Sequence, residues 1–131
     1  MIMKKLILFC SIVFAGLFQS CEEDVASGIV CTQEFRSIGV SIIGGSLTDY
    51  YTVRNSNLDT IRFSEDINSI DANWYPILDD SYQSKIANSE EVFTFIGEIN
   101  NTIVINEEYI IKADECHIEK ISGKSEIHLP N

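Results

Sequence analysis

From Cys31 onward, apolar and polar side chains alternate in short runs. No stretch of useful length carries the i, i+3, i+4 spacing of an amphipathic helix. In Cys31 to Ile43 (CTQEFRSIGVSII), Ile38, Val40 and Ile42 stand at every second position, the signature of a strand with one buried face. Phe35 is out of phase with that set, so a bulge near Ser37 is expected to restore the alternation. Gly44-Gly45-Ser46 predicts a turn, Asp49 to Arg54 (DYYTVR) a second strand, and Asn55-Ser56-Asn57 a further turn. Asp59 to Ser64 (DTIRFS) sets Ile61 and Phe63 on one face of a third strand.

Glu65 to Asn73 is polar and without period, and predicts a loop. Trp74 to Leu78 (WYPIL) is apolar again, but Pro76 lacks a ladder donor, which assigns the segment to a sheet edge or a strand end. Asp79-Asp80-Ser81 predicts a turn held by Asx hydrogen bonds, followed by a connector over Tyr82 to Ala87. The last third is the most regular: VFTFI (Val92 to Ile96), TIVI (Thr102 to Ile105), YIIKA (Tyr109 to Ala113), CHIEKI (Cys116 to Ile121) and SEIHL (Ser125 to Leu129). Turn candidates separate them at Gly97, Asn100-Asn101, Asn106, Asp114-Glu115 and Ser122-Gly123. Short strands at such intervals predict an all-β domain, a single antiparallel β-sandwich of seven to eight strands with Greek-key connections, over residues 30–131.

The amino-terminal pattern is different. Lys4 and Lys5 precede an apolar run from Leu6 to Phe18, and small Ser20 stands before Cys21, which is the layout of a cleaved secretory signal over residues 1–20. The run is short for a membrane span, which takes roughly 20 apolar residues. Phe18-Gln19-Ser20-Cys21 resembles the lipobox of bacterial lipoproteins, in the looser form found in the Bacteroidota, with Phe18 and Gln19 where aliphatic and small residues are usual. That resemblance implies lipidation of Cys21, membrane attachment through the amino-terminal lipid, and a tether over residues 21–29. The acidic Glu22-Glu23-Asp24 is similar to the signal that sends such lipoproteins to the cell-surface side of the outer membrane. Acyl chains at about 0.8 kcal/mol per buried methylene hold a domain to a bilayer without a second membrane segment.

Removing residues 1–20 leaves 111, one domain's worth, with seven basic against twenty acidic side chains and a formal balance of −13. The basic residues are scattered, which excludes nucleic acid, since phosphate binding needs clustered Lys or Arg. Cys10 leaves with the signal and Cys21 takes the lipid, so Cys31 and Cys116 are expected to form a disulfide in an oxidising compartment. A metal or redox pair would call for a C-x-x-C spacing that the chain lacks.

The order CTxEF, a Gly-containing turn, YYxV, YPILDDSY and ADECHIEKISG resembles small uncharacterised lipoproteins of the Bacteroidota. More distantly it is similar to prealbumin-like or carboxypeptidase-regulatory-like β-sandwich modules of secreted and surface proteins. The resemblance implies a non-enzymatic, lipid-anchored accessory or binding module with no cofactor, serving a protein assembly or a glycan at the cell surface.

Three clusters carry candidate chemistry. His117 and Glu119 share a strand face, and His128 would join them if the last two strands formed a hairpin, giving a metal site for a small metal-dependent hydrolase. The plainer alternative makes Asp114-Glu115 a turn and sets the histidines on a solvated face. Asp79, Asp80 and Ser81, with Asp49 or Asp71, offer oxygens to calcium but lack the EF-hand spacing. Trp74 and Tyr75, with Tyr50, Tyr51 and Tyr82, would stack on sugar rings if exposed, although core and rim packing is the commoner fate of such residues. The chain has no G-x-S-x-G, no glycine-rich phosphate loop and no carboxylate pair assignable to glycosidase chemistry.

Overall fold

A computed structural model describes residues 28–63 and 73–130. The signal, Cys21, most of the tether, Asp71 and nearly all of the loop expected at Glu65 to Asn73 lie outside the described residues. The elements are β1 (Ser37–Ile43), β2 (Asp49–Arg54), β3 (Asp59–Ile61), β4 (Trp74–Asp79), a 3-10 helix (Asp80–Lys85), β5 (Ser89–Ile99), β6 (Thr102–Ala113), β7 (Ile118–Ser122) and β8 (Glu126–His128). Among the described residues no helix is long and apolar enough to cross a membrane.

The strands form a three-stranded sheet in the order β4-β1-β8 and a five-stranded sheet in the order β3-β2-β5-β6-β7, the all-β sandwich that the alternation predicts. Their inner faces close on Val40, Ile42, Ile61, Ile77, Leu78, Phe93, Phe95, Tyr109, Ile111 and Ile118. Tyr75 crosses between the sheets: its ring meets Tyr50 edge-on at 5.0 Å, and its hydroxyl accepts the Leu47 N–H at 2.9 Å. Below the 3-10 helix, Arg54 grips Glu91 with two hydrogen bonds of 2.7 and 2.6 Å, and each side chain is 17% exposed. The guanidinium lowers the Glu91 carboxyl below its usual range against the opposing effect of burial.

Pro76 does sit in an edge strand, where a missing donor interrupts no ladder on the outer side. The irregularity expected near Ser37 falls between Ile38 and Gly39, and the extra residue is Ile77 on β4, between Pro76 and Leu78. This bulge shifts the alternation once within a run, Tyr75 to Asp79, that is buried throughout. Phe35 takes no part in the repair, because it precedes β1 and is 67% exposed.

Two expectations need correction. TIVI and YIIKA are one 12-residue strand, β6, and Gly97 and Asn106 lie inside the β5–β6 ladder instead of at turns. The real turn is Asn100-Asn101, both with positive φ (49° and 63°), the conformation a two-residue hairpin requires. The second correction concerns the carboxyl end. β8 leaves β7 for the opposite sheet and pairs with β1 in parallel, so the sandwich is not wholly antiparallel, and the β7–β8 hairpin on which a His128 ligand depended does not form.

Candidate functional site

The chain enters the sandwich through a seam. Cys31 and Cys116 are joined as a disulfide, Cα to Cα 5.3 Å, fastening the segment before β1 to the residues just ahead of β7. One residue further on, Thr32 Oγ1 lies 3.0 Å from His117 Nε2, and His117 Nδ1 lies 2.7 Å from Asp80 Oδ2. Asp80 also accepts the N–H of Arg36 at 2.7 Å and of Ile118 at 2.9 Å, and its own N–H donates to the Arg36 carbonyl at 3.0 Å. With Nδ1 turned to the carboxylate, Nε2 is left to the Thr32 hydroxyl.

Local sequence explains how these groups are presented. Asp79 caps the 3-10 helix, its Oδ1 accepting the Ser81 N–H at 2.9 Å, and this turn aims the next side chain, Asp80, at the seam. Opposite it, Asp114 Oδ1 accepts the N–H groups of Cys116 (2.7 Å) and His117 (2.8 Å), so the tight Asx turn presents the disulfide and the imidazole together. Burial opposes ionisation of Asp80, but the hydrogen bonds from Arg36, Ile118 and His117 outweigh it and hold the carboxyl below its ordinary range. The Asp114 carboxyl is lowered by its hydrogen bonds to His117 and then Cys116.

Hydroxyl, imidazole and carboxylate follow one another here in the order of a hydrolytic triad. Asp80 Oδ2 is shared between the ring and the Arg36 N–H, and Thr32 belongs to the very segment the ring holds. An open cleft of about 290 Å³ lies beside the disulfide, lined by Ile29, Asn88, Asp114, Glu115 and Cys116.

The three residues considered for a metal are separated. His117 is 8% exposed and committed to the seam, not on a solvated face. Glu119 pairs with Lys112 at 2.9 Å across β6 and β7, and His128 Nε2 pairs with Glu126 Oε1 at 2.7 Å on β8 of the other sheet. Among the described residues no group of three or more His, Cys, Asp or Glu side chains is placed to hold a metal ion. Asp79 and Ser81 form the expected Asx turn, while Asp49 faces elsewhere, bonded to Arg62 at 2.8 Å.

The aromatic candidates divide by strand parity. Tyr75 is 7% exposed and belongs to the core, whereas its neighbour Trp74 is half-buried and points the opposite way. The Trp74 indole rests on Gly39: a Cβ there would meet Cζ2 at 2.2 Å and Cε2 at 2.3 Å. Tyr51 lies under the Arg62 guanidinium at 4.7 Å, and Tyr82 under the Lys85 ammonium at 3.9 Å.

Sequence reasoning missed Thr32 and Asp80 as partners of His117. The available signal was the pair Asp79-Asp80, in which one carboxylate suffices to cap the turn and the second is left to act at a distance. Comparison with known protein families, curated proteins and solved structures finds no match for this chain.

Proposed function

We propose that this chain is an exported lipoprotein whose sandwich acts by binding, as an accessory or recognition module at the cell envelope, held by acyl chains on Cys21 to the outer membrane. The observation that carries the reading is the Cys31–Cys116 disulfide at the entrance to the fold. A structural disulfide belongs to an oxidising compartment. It agrees with the amino-terminal layout, in which Lys4 and Lys5, the apolar run and Ser20-Cys21 spell export and lipidation. The nine residues from Glu22 to Val30 then span from lipid to staple.

The reading places no reaction on His117, Glu119 or His128, each of which is engaged with a different partner. Intact-mass spectrometry of membrane-extracted protein, before and after reduction with alkylation, is the test. Residues 21–131 plus acyl chains, with two thiols alkylated only after reduction, is the expected result. An unacylated mass, or unchanged membrane retention of Cys21→Ala, overturns the anchor.

A further inference from the structure

On the outer face of the three-stranded sheet, Trp74, Ser41 and Glu126 stand side by side. Ser41 is in register with Trp74 on β4 and with Glu126 on β8. Their neighbours Val40, Ile42 and Tyr75 fill the core, so alternation turns this row, with His128 one step along β8, away from it. Strands spaced about 4.8 Å apart make the row about 10 Å from β4 to β8. The indole has one side on Gly39 and remains partly accessible, and the small residues Gly39 and Ser41 leave the surface around it low. Glu126 and His128 are bonded to each other, with side chains 54% and 71% exposed.

An aromatic ring with a hydroxyl, a carboxylate and an imidazole on one flat face matches the two-sided chemistry of a sugar. The C–H face of a pyranose packs on the indole, and its hydroxyls meet donors and acceptors along the row. Charge narrows the class. The chain carries a formal −13 after residue 20, and Glu126 lies in the row itself, so polyanionic glycans are repelled. We infer that this face, centred on Trp74, is a docking platform for a neutral oligosaccharide, with Trp74 stacking on a sugar ring and Ser41, Glu126 and His128 hydrogen-bonding its hydroxyls. The inference rests on the binding-module reading above and gives it a site and a ligand class.

Trp74 is the chain's single tryptophan, so tryptophan fluorescence reads this face directly. The detergent-extracted mature protein is titrated with cellohexaose, xylohexaose, mannohexaose and maltohexaose, and with an alginate oligomer as the anionic comparison. A saturable change with at least one neutral sugar and none with alginate is expected. By calorimetry, Trp74→Ala should then weaken that sugar at least tenfold and Glu126→Gln several-fold, while Tyr51→Ala on the other sheet leaves it unchanged. No saturable response to any of the four neutral sugars, a preference for alginate, or undiminished binding by Trp74→Ala overturns the platform. A failed titration in protein that carries its acyl chains removes the platform and leaves the anchor standing. An unacylated mass removes the anchor and leaves the platform to its own titration.

Discussion

Thr52 sits in the middle of β2 on the inner face, opposite Ile61 of β3 and Phe95 of β5. It is 0% exposed, and its hydroxyl finds no hydrogen-bond partner among the described residues. A buried hydroxyl without a partner costs about 1–3 kcal/mol relative to water. Thr52→Val removes that cost, keeps the β-branch that suits a strand, and adds a methyl group between two apolar neighbours. The substitution should therefore stabilise the fold by about 1–2 kcal/mol, which for a domain of about 100 residues raises Tm by roughly 5–10 °C. Thr52→Ser is the counterpart: it keeps the hydroxyl and deletes the methyl group, so it should destabilise by about 1 kcal/mol or more. Urea unfolding followed through Trp74 fluorescence measures both. If valine lowers the midpoint as serine does, the hydroxyl is satisfied in solution and the reasoning fails.

Replacing both Cys31 and Cys116 by alanine opens an 85-residue loop and should cost about 4.5 kcal/mol in the chain-entropy account, read as a Tm drop of roughly 20 °C or more; an unchanged melting curve refutes the staple. Gly123→Ala forces a side chain onto a backbone with φ of 120° and to within 2.1 Å of Tyr109 Cδ1, so urea denaturation should show a loss of more than about 2 kcal/mol. Because the folded Asp80 carboxyl is held below its ordinary pKa, its contribution is complete above that ordinary value, near 3.8, and is lost as pH falls through the lower folded one. Acid titration of stability should accordingly be shallower in Asp80→Asn than in the parent at pH below about 4; identical acid limbs would show that this carboxylate is not shifted.

Strand alternation carried most of the fold, because each inner face needs apolar residues at every second position, and Ile38-Val40-Ile42 or Ile61 shows this without reference to any partner. It failed where pairing is non-local. Asn106 looks like a turn residue on its own, but the eleven cross-strand pairs between β5 and β6 carry it through. The move of β8 to the other sheet is equally invisible locally, since Ile127 and Leu129 alternate the same way whichever sheet receives them. The disulfide was legible because the amino-terminal pattern gave Cys10 and Cys21 other expected roles, which left Cys31 and Cys116 as a pair. The hydrogen bonds beside it were not, since Asp80 and His117 are 37 residues apart and meet only when the 3-10 helix folds against β7. Trp74 and Tyr75 form a middle case: adjacency in a strand guarantees opposite faces, but only the completed sandwich decides which face is the core.

The seam at the entrance also settles how the domain carries a load. Whatever tugs on the residues ahead of Cys31 is handed at once, through a covalent bond, to Cys116 and so to the foot of β7 and the long β5–β6 hairpin. The five residues between Cys31 and Ser37 then share the tug with this shorter covalent path, so less of it reaches the β1–β4 ladder end-on, where hydrogen bonds would be peeled one at a time. A domain held by its first residues in flowing medium would keep β1, and the outer face built on it, in place while the force runs through its most extensively paired strands.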